Sequence, residues 1–176
     1  KRGYDVLLFD APLDAHFINF LEYKLSDITF ARLDSDTLDN LIKKEIITDS
    51  KLNEDQKKIL QPVFESQLST EKYKVQFENM SDDDVPVMIT QSEFARRMKE
   101  MSAMGGGYDF MGSMPESYNV VVNTNHPLMS KLLLETEPLK QQELAKQAID
   151  LALLQKGMLK GEELTKFINR SLALIK

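Results

Sequence analysis

Ala148-Ile149-Asp150-Leu151-Ala152-Leu153-Leu154 holds a single polar residue, Asp150. A helix at a protein surface needs only one apolar stripe, so a helix over roughly Leu139 to Lys156 that is apolar nearly all round here must be covered on more than one side. Gly157 supplies the left-handed stop expected just past a helix end, and from about Glu162 a second helix repeats Leu164, Phe167, Ile168, Leu172 and Ile175 at helical spacing. The two read as an apolar helical hairpin. One face serves its own domain; the face left over pairs most readily with its twin, as a four-helix bundle across a two-fold axis. Leu144, Ala148, Leu151 and Ala152 on the first helix, with Leu164, Phe167, Ile168, Leu172 and Ile175 on the second, are the expected dimer interface. About five anchors per chain at about 2 kcal/mol each give on the order of 20 kcal/mol per dimer. Association and ordering cost about 4 to 15 kcal/mol, which brings a stable dimer within reach of this surface. The competing reading is that the chain covers both faces itself.

The 176 residues are 42% hydrophobic, enough for a real core and too much for a disordered chain. A net charge of -6 opposes a general nucleic-acid surface, and Lys43-Lys44, Lys57-Lys58 and Arg96-Arg97 are pairs rather than a basic patch. Without cysteine there is no disulfide, thiolate metal site or cysteine nucleophile, which suits a reducing, cytoplasmic compartment. No apolar run reaches the roughly 20 residues of a membrane span, so no membrane partner is expected. The chain begins almost directly on the strand-like run Tyr4-Asp5-Val6-Leu7-Leu8-Phe9, as expected of a fragment of a longer protein.

Residues 1–48 read as strand, helix, strand, helix: Tyr4 to Phe9, Asp14 to Lys24, Ile28 to Leu33 and Thr37 to Ile46, a small α/β unit. Thr48-Asp49-Ser50-Lys51 has no periodicity and marks the boundary to a second domain over residues 49–176. That domain opens with a helix from Asn53, its cap, to Leu68, with a kink or later start expected at Pro62. Strands Tyr73 to Phe77, Val87 to Thr90 and Tyr118 to Val122 predict a three-stranded sheet. Ser81-Asp82-Asp83-Asp84 lacks the alternate ligands, Gly and terminal Glu of a calcium loop and reads as a solvated turn. The fold class is therefore α+β, ending in the hairpin.

Seven of the nine methionines fall between Met80 and Met114, and on a helix from Ser92 to Met104 the residues Phe94, Met98, Met101 and Met104 make one stripe. Such a helix most often packs on its own sheet. Its sequel, Gly105-Gly106-Gly107-Tyr108-Asp109-Phe110-Met111-Gly112-Ser113-Met114, is too rich in glycine to hold one shape well, yet displays large apolar residues including Phe110 and Met111. Flexible methionine on a pliant loop suits a surface that accepts differently shaped apolar partners.

The order of these motifs resembles the carboxyl-terminal portion of the heat-shock protein 90 chaperones of the bacterial HtpG type. Gly3-Tyr4-Asp5-Val6-Leu7-Leu8 with Pro12-Leu13-Asp14 is similar to the end of that family's middle domain. Asp83-Asp84-Val85-Pro86-Val87-Met88-Ile89 and the helix after it resemble the start of its dimerisation domain. Tyr118 to Leu128 is similar to its strand ending in Asn-x-x-His-x-Leu, and Gln147 to Leu154 to its dimer helix. The resemblance implies a homodimeric, ATP-dependent folding chaperone of the stress response. It places client-facing residues at Phe94, Met98 and Met101, with His16 and Asn19 at the end of the middle domain. It also implies that ATP and Mg belong to an amino-terminal domain outside this chain, which needs no cofactor of its own. In place of the acidic pentapeptide tail of eukaryotic forms stands Leu174-Ile175-Lys176, so helical-repeat co-chaperones that read that tail are not expected.

Catalytic chemistry finds little support. His16 and His126 read as structural, and Gly105 to Gly107 lack the strand before and the Lys-Ser or Lys-Thr after that make a phosphate loop. Two other readings stay open: the tail of a doubly wound α/β enzyme using Asp10 or Asp34 at strand ends, and a dimerisation module with no client surface.

Overall fold

The computed structural model describes residues 6–9, 11, 13–28, 30, 32–33, 35–36, 49–91 and 117–175. The chain divides into two compact units, Lys1–Arg32 and Leu33–Lys176. The division precedes the expected boundary at Thr48-Asp49-Ser50-Lys51; Lys51, on the second-domain side of that boundary, donates its N–H to Asn125 Oδ1 at 2.7 Å.

In the first unit, helix α1 spans Asp14–Lys24. Asp14 Oδ2 accepts from Ala11 N, and Glu22 Oε1 accepts from Phe30 N, while Phe9 and Phe30 meet edge to face at 6.4 Å. The expected strands over Tyr4 to Phe9 and Ile28 to Leu33 are not found among the described residues of this unit. A strand exists through its ladder, and Val6, Leu7 and Leu8 are all exposed, as a strand within a covered sheet would not be. The helix expected over Thr37 to Ile46, and Asp10 and Asp34, lie outside the described residues.

The second unit begins with α2 (Glu54–Glu65), which starts from a complete capping box: Asn53 Oδ1 accepts from Gln56 N, and Gln56 Oε1 accepts from Asn53 N. The helix continues through Pro62 without the later start that residue suggested. Strands β1 (Tyr73–Glu78), β2 (Val87–Thr90) and β3 (Tyr118–Asn123) form a mixed sheet in the order β1-β3-β2, with β1 parallel and β2 antiparallel to the central β3. The register sets Val75 and Ile89 on either side of Val120, and Phe77 and Val87 on either side of Val122. Because side chains alternate across a strand, these residues share one face. Leu60 and Phe64 of α2 join the same core, Phe64 meeting Phe77 edge to face at 6.4 Å.

Helices α3 (Pro127–Leu134), α4 (Pro138–Gln155) and α5 (Gly161–Ile175) complete the unit, and α4 packs on β2, α2, α3 and α5. Ala145, Ala148, Ile149, Ala152 and Leu153 of α4 enter the core. At its end Gly157 takes φ 66°, Gly157 N donates to Leu154 O and Met158 N to Leu153 O, the paired bonds of a Schellman stop. The left-handed residue lets the chain reverse and deliver α5 back onto α4.

A buried polar cluster follows β3. Asn123 Nδ2 donates to Ser81 O at 2.7 Å, Asn125 Nδ2 to Met80 O at 2.9 Å, and Thr124 N to Glu78 O at 3.0 Å. These bonds hold the acidic turn against the sheet, and Lys51 Nζ adds a salt bridge to Asp82 at 3.0 Å. His126 then caps α3, its Nδ1 accepting from Leu128 N at 3.1 Å.

Two outcomes are expected. Ile149→Ala removes a fully buried side chain at the centre of α4 and should cost about 2 to 5 kcal/mol in chemical denaturation. His126 can cap only while Nδ1 is unprotonated, and burial lowers its pKa from 6.5. The folded state therefore binds fewer protons than the unfolded one, so the contribution is complete above about pH 6.5 and is lost as pH falls through the lowered value. Tm against pH should show that loss, and His126→Asn, which caps without titrating there, should remove it.

Candidate functional site

The core takes one side of the α4–α5 hairpin and, among the described residues, leaves another exposed. Leu151 and Leu154 on α4 and Ile168, Leu172 and Ile175 on α5 are exposed, between 40% and 81%. On each helix they fall at three- and four-residue spacing, which places each set along one face. Leu144 and Leu164 are half-buried at the edge of the core.

Ala148, Ala152 and Phe167, also expected at a dimer interface, belong to the chain's own core and are 2%, 4% and 7% exposed. Helical spacing marks a residue as apolar on a given stripe. It does not say which stripe meets the sheet, and in a helix apolar on several sides the assignment passes to packing.

Between the two helices runs a polar seam. Asp150 is 1% exposed; its Oδ1 accepts from Lys146 Nζ at 2.6 Å and its Oδ2 from Arg170 Nη2 at 2.5 Å. Arg170 Nε donates to Gln147 Oε1 at 2.7 Å, Gln147 Nε2 donates to Ser171 Oγ at 2.8 Å, and Ser171 Oγ donates to Phe167 O. The guanidinium lies 6.0 Å from the centre of the Phe167 ring. Among the described residues no buried side-chain nitrogen or oxygen lacks a partner. The sequence marked Asp150 as the one polar residue in an apolar run; that Arg170 answers it from 20 residues away was not legible there. Nor was the Asn123, Thr124 and Asn125 cluster, which read as a strand end.

On the exterior of α5, Lys166 pairs with Glu162 and Glu163 at 3.0 Å each. Its hydrogen bonds and charge hold the Glu163 carboxyl below the usual range. These are solvated pairs on the helix's polar flank, of small worth to stability.

The residues expected to meet clients divide in two. His16 and Asn19 are exposed on α1, where Leu13, Phe17 and Phe20 are exposed as well, at four- and three-residue spacing. Phe94, Met98, Met101, Met104, Phe110 and Met111 lie outside the described residues. Among the described residues no group of three His, Asp or Glu side chains could hold a metal ion, and no helix is long and apolar enough to cross a membrane.

No protein-family model matches the chain. It is similar to the chaperone protein HtpG of Porphyromonas gingivalis, at 33% identity over 99% of this chain and 35% of that protein. For HtpG from a second strain of that organism, identity is 42% over 75% of this chain and 20% of that protein. The HtpG of Bacteroides fragilis is 34% identical over 99% of this chain and 36% of its own length. The chain thus spans about 35% of the length of the curated relatives it matches. The first alignment extends over 241 positions against a chain of 176 residues, so that relative carries additional residues inside the matched span.

Arg170→Ala is expected to destabilise the chain by about 3 kcal/mol, the low end for a broken buried ion pair because Lys146 still faces Asp150. Urea denaturation of the two proteins side by side measures it.

Proposed function

Because the chain belongs to the HtpG family of heat-shock protein 90 chaperones, we propose that it forms the homodimerisation and client-binding part of an ATP-dependent folding chaperone. The observation that carries the assembly half of this reading is the outer face of the hairpin, where Leu151, Leu154, Ile168, Leu172 and Ile175 stand exposed. Two copies related by a two-fold axis would bury these residues against each other as a four-helix bundle, since a two-fold contact uses the same patch twice. Lone exposed apolar residues are ordinary; five aligned on the outside of one hairpin are a surface that water disfavours.

Client binding rests on two segments. The stripe Phe94, Met98, Met101 and Met104 with Phe110 and Met111 offers deformable apolar contact, and His16 and Asn19 lie on a helix that also exposes Phe17 and Phe20. In this reading ATP and Mg act in a part of the longer protein that this chain does not span. The reading assigns the chain no nucleotide chemistry of its own, because its glycine run lacks the Lys-Ser or Lys-Thr of a phosphate loop. A cytoplasmic location accords with the lack of cysteine.

Light scattering of the chain over a wide dilution series tests the first half. A species of about twice 20.2 kDa is expected, and Leu151→Asp with Ile168→Asp should dissociate it without lowering the Tm of the monomer by more than about 1 kcal/mol equivalent. A monomer at every concentration would overturn the bundle. For the second half, Phe94→Ser, Met98→Ser and Met101→Ser together, placed in the longer protein, should weaken suppression of client aggregation; unchanged suppression would favour a dimerisation module alone. The purified chain should show no ATP hydrolysis above background, and robust turnover would contradict the division of labour proposed.

A further inference from the structure

We propose that the seam built by the buried Asp150 with the half-buried Gln147, Arg170 and Ser171 is a register device, with Arg170 as a positioning residue that sets the outer face of the hairpin for a second copy of this chain. The inference rests on the assembly reading above and adds what makes that face a single defined surface.

Stability alone does not account for the seam. Asp150 is 1% exposed, and taking a carboxylate out of water is costly even when it is well paired. Apolar side chains of similar volume commonly serve as well or better in such positions, and α4 is already apolar on both sides of Asp150. What the polar groups supply is geometry. The guanidinium fork is planar, and here its Nε and Nη2 reach two residues of α4, Gln147 and Asp150, that lie nearly one turn apart. The neighbouring Ser171 takes the Gln147 amide at 2.8 Å. Two consecutive residues of α5 are therefore matched to two of α4, and only one axial register satisfies all the donors and acceptors.

Apolar packing does not impose this choice. Leu and Ile can replace one another in a core at modest cost, so apolar packing alone marks a register less sharply than a set of paired donors and acceptors does. With the seam present, a slip of three residues along α5 would set Phe167 against Asp150 and leave the buried carboxylate with Lys146 alone, its second oxygen unanswered. A single polar site specifies register in helical assemblies in the same way. The exposed residues flank the seam closely in sequence: Leu151 is one turn beyond Gln147, Ile168 one turn before Ser171, and Leu172 the residue after it. Their relative positions on the two helices follow the register, so the seam determines whether the outer apolar residues form one continuous face.

The test uses the 176-residue chain and compares it with Asp150→Leu/Arg170→Met, which replaces the buried carboxylate and its guanidinium partner by apolar groups; Lys146, partly exposed, keeps Glu163 as an acidic neighbour at 3.7 Å. Dimer dissociation is followed by dilution, thermal unfolding at a concentration where both proteins are monomeric, and Leu and Ile methyl spectra in the dimer. The variant should unfold at a Tm equal to or above that of the native chain, while its dimer dissociation constant rises by about tenfold or more and its methyl spectrum shows several sets of signals. A native dimer matched by an equally tight variant dimer with one set of signals would overturn the register role and leave the assembly reading intact. A native chain that stays monomeric throughout would remove both. Should the first variant not fold, Gln147→Met/Ser171→Ala keeps Asp150 paired; weaker association with unchanged monomer Tm supports the proposal, and unchanged association overturns it.

Discussion

Helix α4 lies against the sheet on one side and α5 on another, and the second unit depends on that double burial. Ile149 and Ala145 are fully buried, Ala148, Ala152 and Leu153 nearly so, and around them gather Phe64 and Leu60 of α2, Met129 and Leu132 of α3, and the valines of β3. Three alanines on the inward side of α4 let its backbone approach its neighbours closely, as small residues at helix contacts do. Larger side chains there would push the helix off the sheet, since packed interiors do not absorb added volume without strain. The element is thus a hub, and the remaining helices take their positions from it.

Polar groups do a different task from apolar ones in this molecule. The apolar core supplies the drive to collapse, which is roughly proportional to area and indifferent to detail. Two buried polar clusters supply detail. Asn123, Thr124 and Asn125 hold the turn between β1 and β2 and the segment before α2, linking pieces of chain more than 40 residues apart. Asp150 and Arg170 join the two arms of the hairpin. Each cluster is fully satisfied among the described residues, the condition under which buried polar groups specify a structure instead of loosening it.

The hairpin shows how one sequence pattern divides between core and surface. An apolar residue on α4 or α5 either fills the core or faces outward, and the two kinds are interleaved: Leu151 outward, Ala152 inward; Phe167 inward, Ile168 outward. A helix of this sort is held in the folded chain by its covered inner stripe, while its outer stripe stays exposed. Family membership gives that outer stripe a context, that of chaperones whose length the chain spans by about 35%. The same logic extends to α1, where Leu13, Phe17 and Phe20 stand exposed on one side of the helix.

The hairpin, its glycine stop, the Asn53 cap and the three strands of the second unit were all legible in the sequence, because each is dictated locally: by periodicity, by a φ above zero, by a side chain that reaches its own backbone. The family was legible from the order of motifs along the chain. Local pattern is least decisive in the first unit, because a strand requires a ladder partner that no single segment contains and part of both expected strands lies outside the described residues. The sheet order β1-β3-β2, with its parallel pair, was decided by tertiary structure. So was the sorting of Ala148, Ala152 and Phe167 into the core and of Leu151, Ile168, Leu172 and Ile175 onto the surface, along with the pairing of Asp150 with Arg170. The physical reason is common to all of these: each depends on which residues distant in sequence meet in space, and burial and ion pairing are properties of that meeting rather than of any residue alone.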